Sequence, residues 1–403
     1  MTTKLTTKLA PHADALRGLL GRSLLATRDA TAAELDALLS LASRFRELDL
    51  AGVRVPLFAH ELAYAMFFDN STRTKSAWAG AAARLGMQPV IVDGSSTQIA
   101  HGETASETGA MLGMNAHAMG VRHDLVLGEG QTFMRQVASG IQTWLNANQE
   151  QRTVPVVNLQ CDVDHPTQTL ADLAFLRHRF GARADDQDAL RDKIITVSWA
   201  YSPSYAKPLS VPQGLITLLT RQGAHVRLAH PPGYELLEPC IADAKRFAAE
   251  HNGSFSVHVG GGKAMDTAFR GAHVVYPKSW GPRALMTARV AANAARDRAG
   301  LAKLERQMLA QNADHTDWIC DERRMALTAT SPGRPQAQYM HCLPADIGAE
   351  VSPGVMATYR DDLAREASWK LYAIMALLTA AKHPDPVGAL AQFGGRPAPQ
   401  GRD

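Results

Sequence analysis

The stretch Leu62–Gly86 reads LAYAMFFDNSTRTKSAWAGAAARLG. Leu62–Phe68 is an apolar run of strand length that stops at Asp69-Asn70, as a buried strand ending in a turn would. Ser71 then opens a helix that carries through Arg84 to a stop at Gly86. Pro89–Val92 follows as a second short strand. Strand, helix and strand in that order form a crossover unit, so the segment predicts parallel strands with helices packed on their faces.

Working outward, the alternation continues. Thr31–Leu48 reads as a helix, with Thr31 and Glu34 at capping-box spacing and Leu35, Leu38, Leu39 and Leu41 towards one face. Further strands are expected at Ala118–Val121, Val154–Leu159, Lys193–Ala200, His225–Ala229, Ser254–Val259, Val274–Tyr276 and Tyr339–Leu343. Helices are expected at Thr104–Met114, Leu215–Arg221, Ala242–Glu250 and Trp369–Ala381, with a helical stretch at Leu285–Asn312. Leu16, Leu19, Leu20, Leu24 and Leu25 fit an amphipathic surface helix, and the Pro- and Gly-rich residues 383–403 read as a flexible tail. Ser202–Pro212 (SPSYAKPLSVP) holds three prolines and reads as a rigid loop.

The composition bounds the function. The chain has 403 residues, 46% of them hydrophobic and 20% charged, which excludes a disordered chain, a coiled coil or a fibre and allows two or three domains. With 42 basic and 39 acidic residues the net charge is +3, so a nucleic-acid partner is not implied. Cys161, Cys240, Cys320 and Cys342 are too few and scattered for a disulfide framework or a zinc site. No apolar run reaches the roughly 18–20 residues that cross a bilayer. Met1–Arg28 is poor in acid, loosely like a transit peptide, but has no unbroken apolar core; a cytoplasmic protein is expected.

Four strings carry chemistry. Ser71-Thr72-Arg73-Thr74-Lys75 stands where a helix begins, and free N–H groups, hydroxyls and a guanidinium there suit a phosphate; a capping serine with a surface arginine is the plainer reading. Arg122 ends a strand, placed to reach a cleft above the sheet. In His165-Pro166-Thr167-Gln168, Pro166 fits the first helical position, which puts His165 at the cap and Gln168 one turn on. His341-Cys342-Leu343-Pro344 stands at the end of the last strand, and its cysteine is a small hydrophobe or a nucleophile. Neither a P-loop nor a GxGxxG fingerprint is present, and Gly260-Gly261-Gly262-Lys263 reads as a turn.

Together these strings resemble the transcarbamylase family of aspartate and ornithine carbamoyltransferases. Ser71, Arg73 and Thr74 match its Ser-x-Arg-Thr-Arg signature, with Lys75 for the last Arg; His165–Gln168 match HPxQ and His341–Pro344 match HCLP. Ser95–Thr104, which contains Gln98, is similar to the family's mobile loop that reaches a neighbouring subunit's site. Leu159–Asp162, Trp199–Tyr205 and Tyr276–Trp280 look closest to the knotted YgeW-type transcarbamylases, whose acceptor is unassigned.

The resemblance implies two doubly wound α/β domains, with a trefoil knot at the Pro-rich loop of the second. The first, residues 1–180 completed by a C-terminal helix at 366–382, would bind carbamoyl phosphate, and the second, 190–360, the acceptor. Carbamoyl phosphate would be held by Ser71, Thr72, Arg73, Thr74, Gln98, Arg122, His165, Gln168, Cys342, Leu343 and Lys370. Arg73, Arg122, His165 and Gln168 would be catalytic, and the acceptor would meet Lys278, Ser279, Trp280, Cys342, Leu343 and Pro344. The resemblance implies a homotrimer with no metal or other cofactor, no nucleic acid and no membrane. Lys278 stands where ornithine enzymes carry an acidic residue, pointing to a carboxylate or amide-like group on the acceptor, and the lysine that acetylornithine enzymes carry after HCLP is missing from Ala345–Val355. An ornithine or N-acylornithine enzyme and a non-catalytic binding protein are the alternatives. A relic would be expected to lose its anion ligands, yet Ser71, Arg73, Arg122, His165 and Gln168 are all kept.

Overall fold

The computed structural model describes residues 9–181, 184–204 and 207–393. The LAYAMF run forms strand β1 (Leu62–Phe67), and Arg73–Arg84 forms helix α2 on one face of its sheet. The helix starts at Arg73 and not at Ser71, because Thr72 occupies the cap position. It stops where Gly86, at φ +85°, reverses the chain against Pro56, a conformation that a side chain would strain. Strands β2 (Gln88–Asp93), β3 (Ala118–His123) and β4 (Val156–Cys161) complete a parallel sheet in the order β2-β1-β3-β4. Helix α1 (Ala32–Leu50) precedes β1, and its Thr31/Glu34 capping box is formed.

Helices α3 (Ala105–Gly113) and α4 (Gly130–Ala147) pack together beside this sheet. The sequence reading had no α4, although Met134, Val137, Ile141 and Leu145 are buried along it at helical spacing. Helix α5 (Pro166–Gly181) then leads to the second sheet. That sheet is also parallel, in the order β7-β6-β5-β8-β9, from β5 (Ile194–Ser198), β6 (His225–His230), β7 (Ser254–Val259), β8 (Val274–Pro277) and β9 (Gln338–Tyr339). The two domains are therefore both doubly wound α/β units.

Several expectations need correction. The Pro-rich stretch ends inside helix α6 (Ser210–Leu219), which accepts Pro212 because first-turn N–H groups have no partner in the helix. Helix α7 (Glu238–Glu250) also starts earlier than expected, and Gly262 begins helix α8 (Gly262–Phe269) where a turn was expected. The stretch after β8 is two helices, α9 (Arg283–Ala294) and α10 (Arg298–Ala313), broken at Arg296 with φ 52°. Strand β9 is only two residues long, so His341–Pro344 leave the sheet.

The final helix, α11 (Pro353–Lys382), is far longer than Trp369–Ala381, and it packs on α1, α2 and α5. Ser352 caps it and Pro353 is its first residue, a start signal that the charged residues behind it obscured. The N-terminal leucines do not form one surface helix. A short helix, Ala13–Arg17, ends before Gly21, and Leu16, Leu19, Leu24 and Leu25 are buried while Leu20 is exposed. The expected tail begins with another short helix, Pro386–Ala391, whose Ala389 and Leu390 are buried; residues 394–403 lie outside the described residues, as does Tyr205 of the Pro-rich stretch. Among the described residues no helix is long and apolar enough to cross a membrane.

Candidate active site

Each sheet reverses its direction of growth at one place: between β1 and β3 in the first, and between β5 and β8 in the second. Connections leave such a point in opposite directions, so a crevice opens beyond the strands' carboxyl ends. The two crevices merge into one cleft of about 400 Å³ between the sheets. Ser71, Thr72, Arg73 and Thr74 enter it from the start of α2, Arg122 from β3, and His165 and Gln168 from the start of α5. Lys278 enters after β8, Cys342, Leu343 and Pro344 after β9, and Lys370 from α11. Residues scattered from Ser71 to Lys370 thus converge on one space.

Two expected acceptor residues, Ser279 and Trp280, are not brought there, and neither are Gln98 and Lys75. Gln98 is exposed on the 3₁₀ turn Gln98–His101 and does not line the cleft of its own chain. Trp280 is buried in an aromatic core, where its indole donates to the Tyr234 carbonyl at 2.8 Å and its own carbonyl accepts from Trp199 Nε1 at 2.9 Å. Ser279 is buried beside it, with its backbone N–H bonded to Glu350 Oε1 at 2.6 Å. The Lys75 ammonium lies 5.2 Å from the centre of the Phe67 ring, outside the cleft.

The site is built to receive negative charge. Thr72 makes no side-chain cap bond, so the first N–H groups of α2 are left to a ligand. Arg122 Nη1 donates to Ser71 Oγ at 3.2 Å and Nη2 to Asp124 Oδ2 at 3.0 Å, which fixes the guanidinium plane. Burial raises Asp124 to about 6, against the pull of Arg122. Arg73 donates to the Leu343 carbonyl and so ties the first domain to the second. Leu343 takes φ 43°, a left-handed conformation that a branched side chain rarely adopts and that tends to collect at functional positions.

Burial, and then Lys370, Arg122, Lys278 and Arg73, hold His165 well below its ordinary value, so the imidazole stays neutral. Its Nδ1 lies 3.2 Å from Thr167 Oγ1; with that hydroxyl donating, Nε2 carries the N–H. Burial likewise lowers Lys370 to about 8, and lowers Lys278, whose Nζ donates to the Ser279 carbonyl at 2.8 Å.

Sequence reasoning missed Gln160, Lys207 and Glu350, and gave His341 no role beyond its HCLP match; all four line the cleft. Gln160 had a signal, since it ends β4 as Arg122 ends β3. Lys207 Nζ donates to Asp346 Oδ2 at 2.7 Å and Glu350 Oε2 at 2.8 Å, strapping the Pro-rich stretch to the loop after Pro344. Burial alone would raise Glu350, but His341 and Lys207 hold it well below the carboxylate range. Cys342 is half-buried at the cleft, whereas burial pushes Cys161 and Cys240 up to about 12 and Cys320 higher still.

Residues 22–178 match the family description "Aspartate/ornithine carbamoyltransferase, carbamoyl-P binding domain", and residues 209–381 match its "Asp/Orn binding domain". The chain is 42% identical over 378 residues to YgeW of Escherichia coli (strain K12), a protein named for carbamoyl transfer, covering 92% of each. It is 28% identical to an ornithine carbamoyltransferase of Parasynechococcus marenigrum (strain WH8102), covering 93% of this chain and 98% of that one. An acetylornithine transcarbamylase structure complexed with acetylcitrulline superposes with a TM-score of 0.71 at 27% identity, covering 89% of this chain and 99% of the other. With both domains matched, the chain belongs to the aspartate/ornithine carbamoyltransferase family.

Proposed function

We propose that the cleft transfers a carbamoyl group between carbamoyl phosphate and a small acceptor carrying an amine, amide or ureido nitrogen. The observation that carries this is the convergence of an open helix N-terminus, Arg73, Arg122, neutral His165 and Gln168 on one space. A carbamoyl phosphate has three things to hold, and each has a counterpart. The phosphate suits the N–H groups of α2 with Ser71, Thr72, Arg73 and Thr74. The carbonyl oxygen suits Arg122, His165 and Thr74, which stabilise the charge it gains in the transition state. The –NH₂ group suits the Gln168 carbonyl and the backbone carbonyl of Leu343.

The acceptor nitrogen adds its lone pair to the carbamoyl carbon, the carbon–oxygen bond to phosphate breaks, and the nitrogen's proton leaves with the phosphate. Fixed orientation and preset charge supply the rate. Cys342 lines the acceptor side without attacking. Lys278 and Pro344 also face the acceptor, and buried Lys278 favours one with a carboxylate or amide-like group over one with a free α-ammonium. The direction of transfer also admits phosphate-driven cleavage of a ureido compound.

Residues 1–180 with helix 366–382 are the phosphate-side domain in this reading, and 190–360 the acceptor side. Gln98 acts in the cleft of a neighbouring subunit of a trimer, a role supported by its exposure. A threaded Pro-rich loop and a cytoplasmic location complete the reading. An ornithine or N-acylornithine acceptor is the second reading, favoured by relatives named for those acceptors. The test is a screen of amines, amides and ureido acids with carbamoyl phosphate or phosphate, in both directions. Turnover of a carboxylate-bearing acceptor is expected; brisk turnover of ornithine would select the second reading, and no turnover or carbamoyl phosphate binding would overturn both.

A further inference from the structure

Behind Gln168, away from the cleft, two carboxyl groups meet in the interior. Asp172 lies one turn further along α5, and Glu366 comes from α11, 198 residues from Gln168 in sequence. Both are almost completely shielded from solvent. Gln168 Nε2 donates to Asp172 Oδ1 at 2.8 Å and to Glu366 Oε1 at 2.6 Å. Tyr276 donates its hydroxyl to Asp172 Oδ2 at 3.2 Å. Both carboxyls thus accept from the one amide nitrogen of Gln168, which draws them together in the interior. Burial, and then the charge of Asp172, push Glu366 well above the carboxylate range.

A glutamine amide has two N–H donors on its nitrogen and one acceptor oxygen. Both donors of Gln168 are taken by this pair. A flipped amide would set its oxygen against Asp172 Oδ1 and leave that buried acceptor without its donor. We propose that Asp172 and Glu366 are positioning residues that fix the polarity of the Gln168 amide, presenting its carbonyl oxygen to the –NH₂ of the bound carbamoyl group. The proposal rests on the carbamoyl reading above and adds to it the source of discrimination between a carbamoyl and an acetyl group, which differ by –NH₂ against –CH₃.

Two stable phosphonates provide the test: phosphonoacetamide, which has the –NH₂, and 2-oxopropylphosphonate, which has a methyl in its place. Calorimetry on the full chain reads the affinity ratio, with inorganic phosphate as the control probe. The wild type is expected to prefer the amide by about tenfold or more. The double variant Asp172→Leu/Glu366→Met replaces the buried pair by apolar groups, an exchange that folds often tolerate. Its preference is expected to fall to about threefold or less, with phosphate affinity within about threefold of wild type. A folded double variant that keeps the full preference overturns the proposal. Should it not fold, Glu366→Gln, which keeps an acceptor oxygen, is compared with Glu366→Met, which does not. The first should retain the preference and the second lose it, and equal preferences overturn the proposal. A wild type that binds both phosphonates equally overturns this proposal alone, whereas one that binds neither overturns the carbamoyl reading itself.

Discussion

Arg122 owes its aim to Asp124, its partner at 3.0 Å, and to Ser71 at 3.2 Å. In the proposed reaction a guanidinium held from two sides would meet the oxyanion without reorganising, which is where preset charge is worth most. Arg122→Ala is expected to lower turnover about 10²- to 10³-fold with little change in thermal stability, measured by steady-state rates beside a melting curve. Lys370 is the residue most open to pH. Its ammonium, lowered to about 8, is charged below that value and neutral above it. Phosphonoacetamide affinity should therefore fall about threefold or more between pH 7 and 9, while Lys370→Arg, which stays protonated, flattens the curve. Parallel curves would remove Lys370 from the phosphate contact. Ser71–Thr74, His165 and Gln168 were legible because each sits where a helix begins, a place the sequence marks with its turn residues. Lys207, Glu350 and Glu366 were not, because each owes its position to a partner more than a hundred residues away or to a loop with no periodicity.

At the scale of elements, α5 and α11 matter most. Each carries site residues on one turn and packs against the other along its length. The apolar run at Trp369–Ala381 marked one half of α11; the half Pro353–Ser368 was passed over because charged residues separate Val355, Met356, Tyr359 and Leu363, which are nonetheless buried along it at helical spacing. The β-strands were legible to within a few residues, since short apolar runs bounded by turns leave little choice. Strand β9 was overread because a local pattern cannot show that Leu343 turns left-handed and leaves the sheet. The Lys207–Glu350 strap joins two such irregular segments. Glu350 is wholly buried, so Glu350→Gln takes the buried charge from the Lys207 ammonium and leaves it only Asp346, and a loss of about 1–3 kcal/mol is expected. That appears as a fall of roughly 1–6 °C in the melting midpoint. Because Glu350 is held below its unfolded value, the strap's contribution is present at neutral pH and fades as pH drops below the ordinary carboxylate range. A midpoint unchanged by the substitution at pH 7 would show that water replaces the pair without cost.

At the scale of the whole molecule, the exposed Gln98 loop calls for a neighbour. Light scattering is expected to give about three times the 43.5 kDa chain mass, and a monomer would detach Gln98 from any catalytic role. The path of α11 has a different consequence, in the order of synthesis. Its second half covers α1 and α2, so the faces of these two helices around Leu38 and Gly80 wait for α11, made much later, to arrive. At roughly 5–20 residues per second, about 280 residues of intervening chain keep those faces waiting on the order of 15–55 s. The molecule that opens its sequence with the phosphate-side sheet must therefore finish that sheet's layer last, and a nascent chain stalled before α11 would be a client for chaperones.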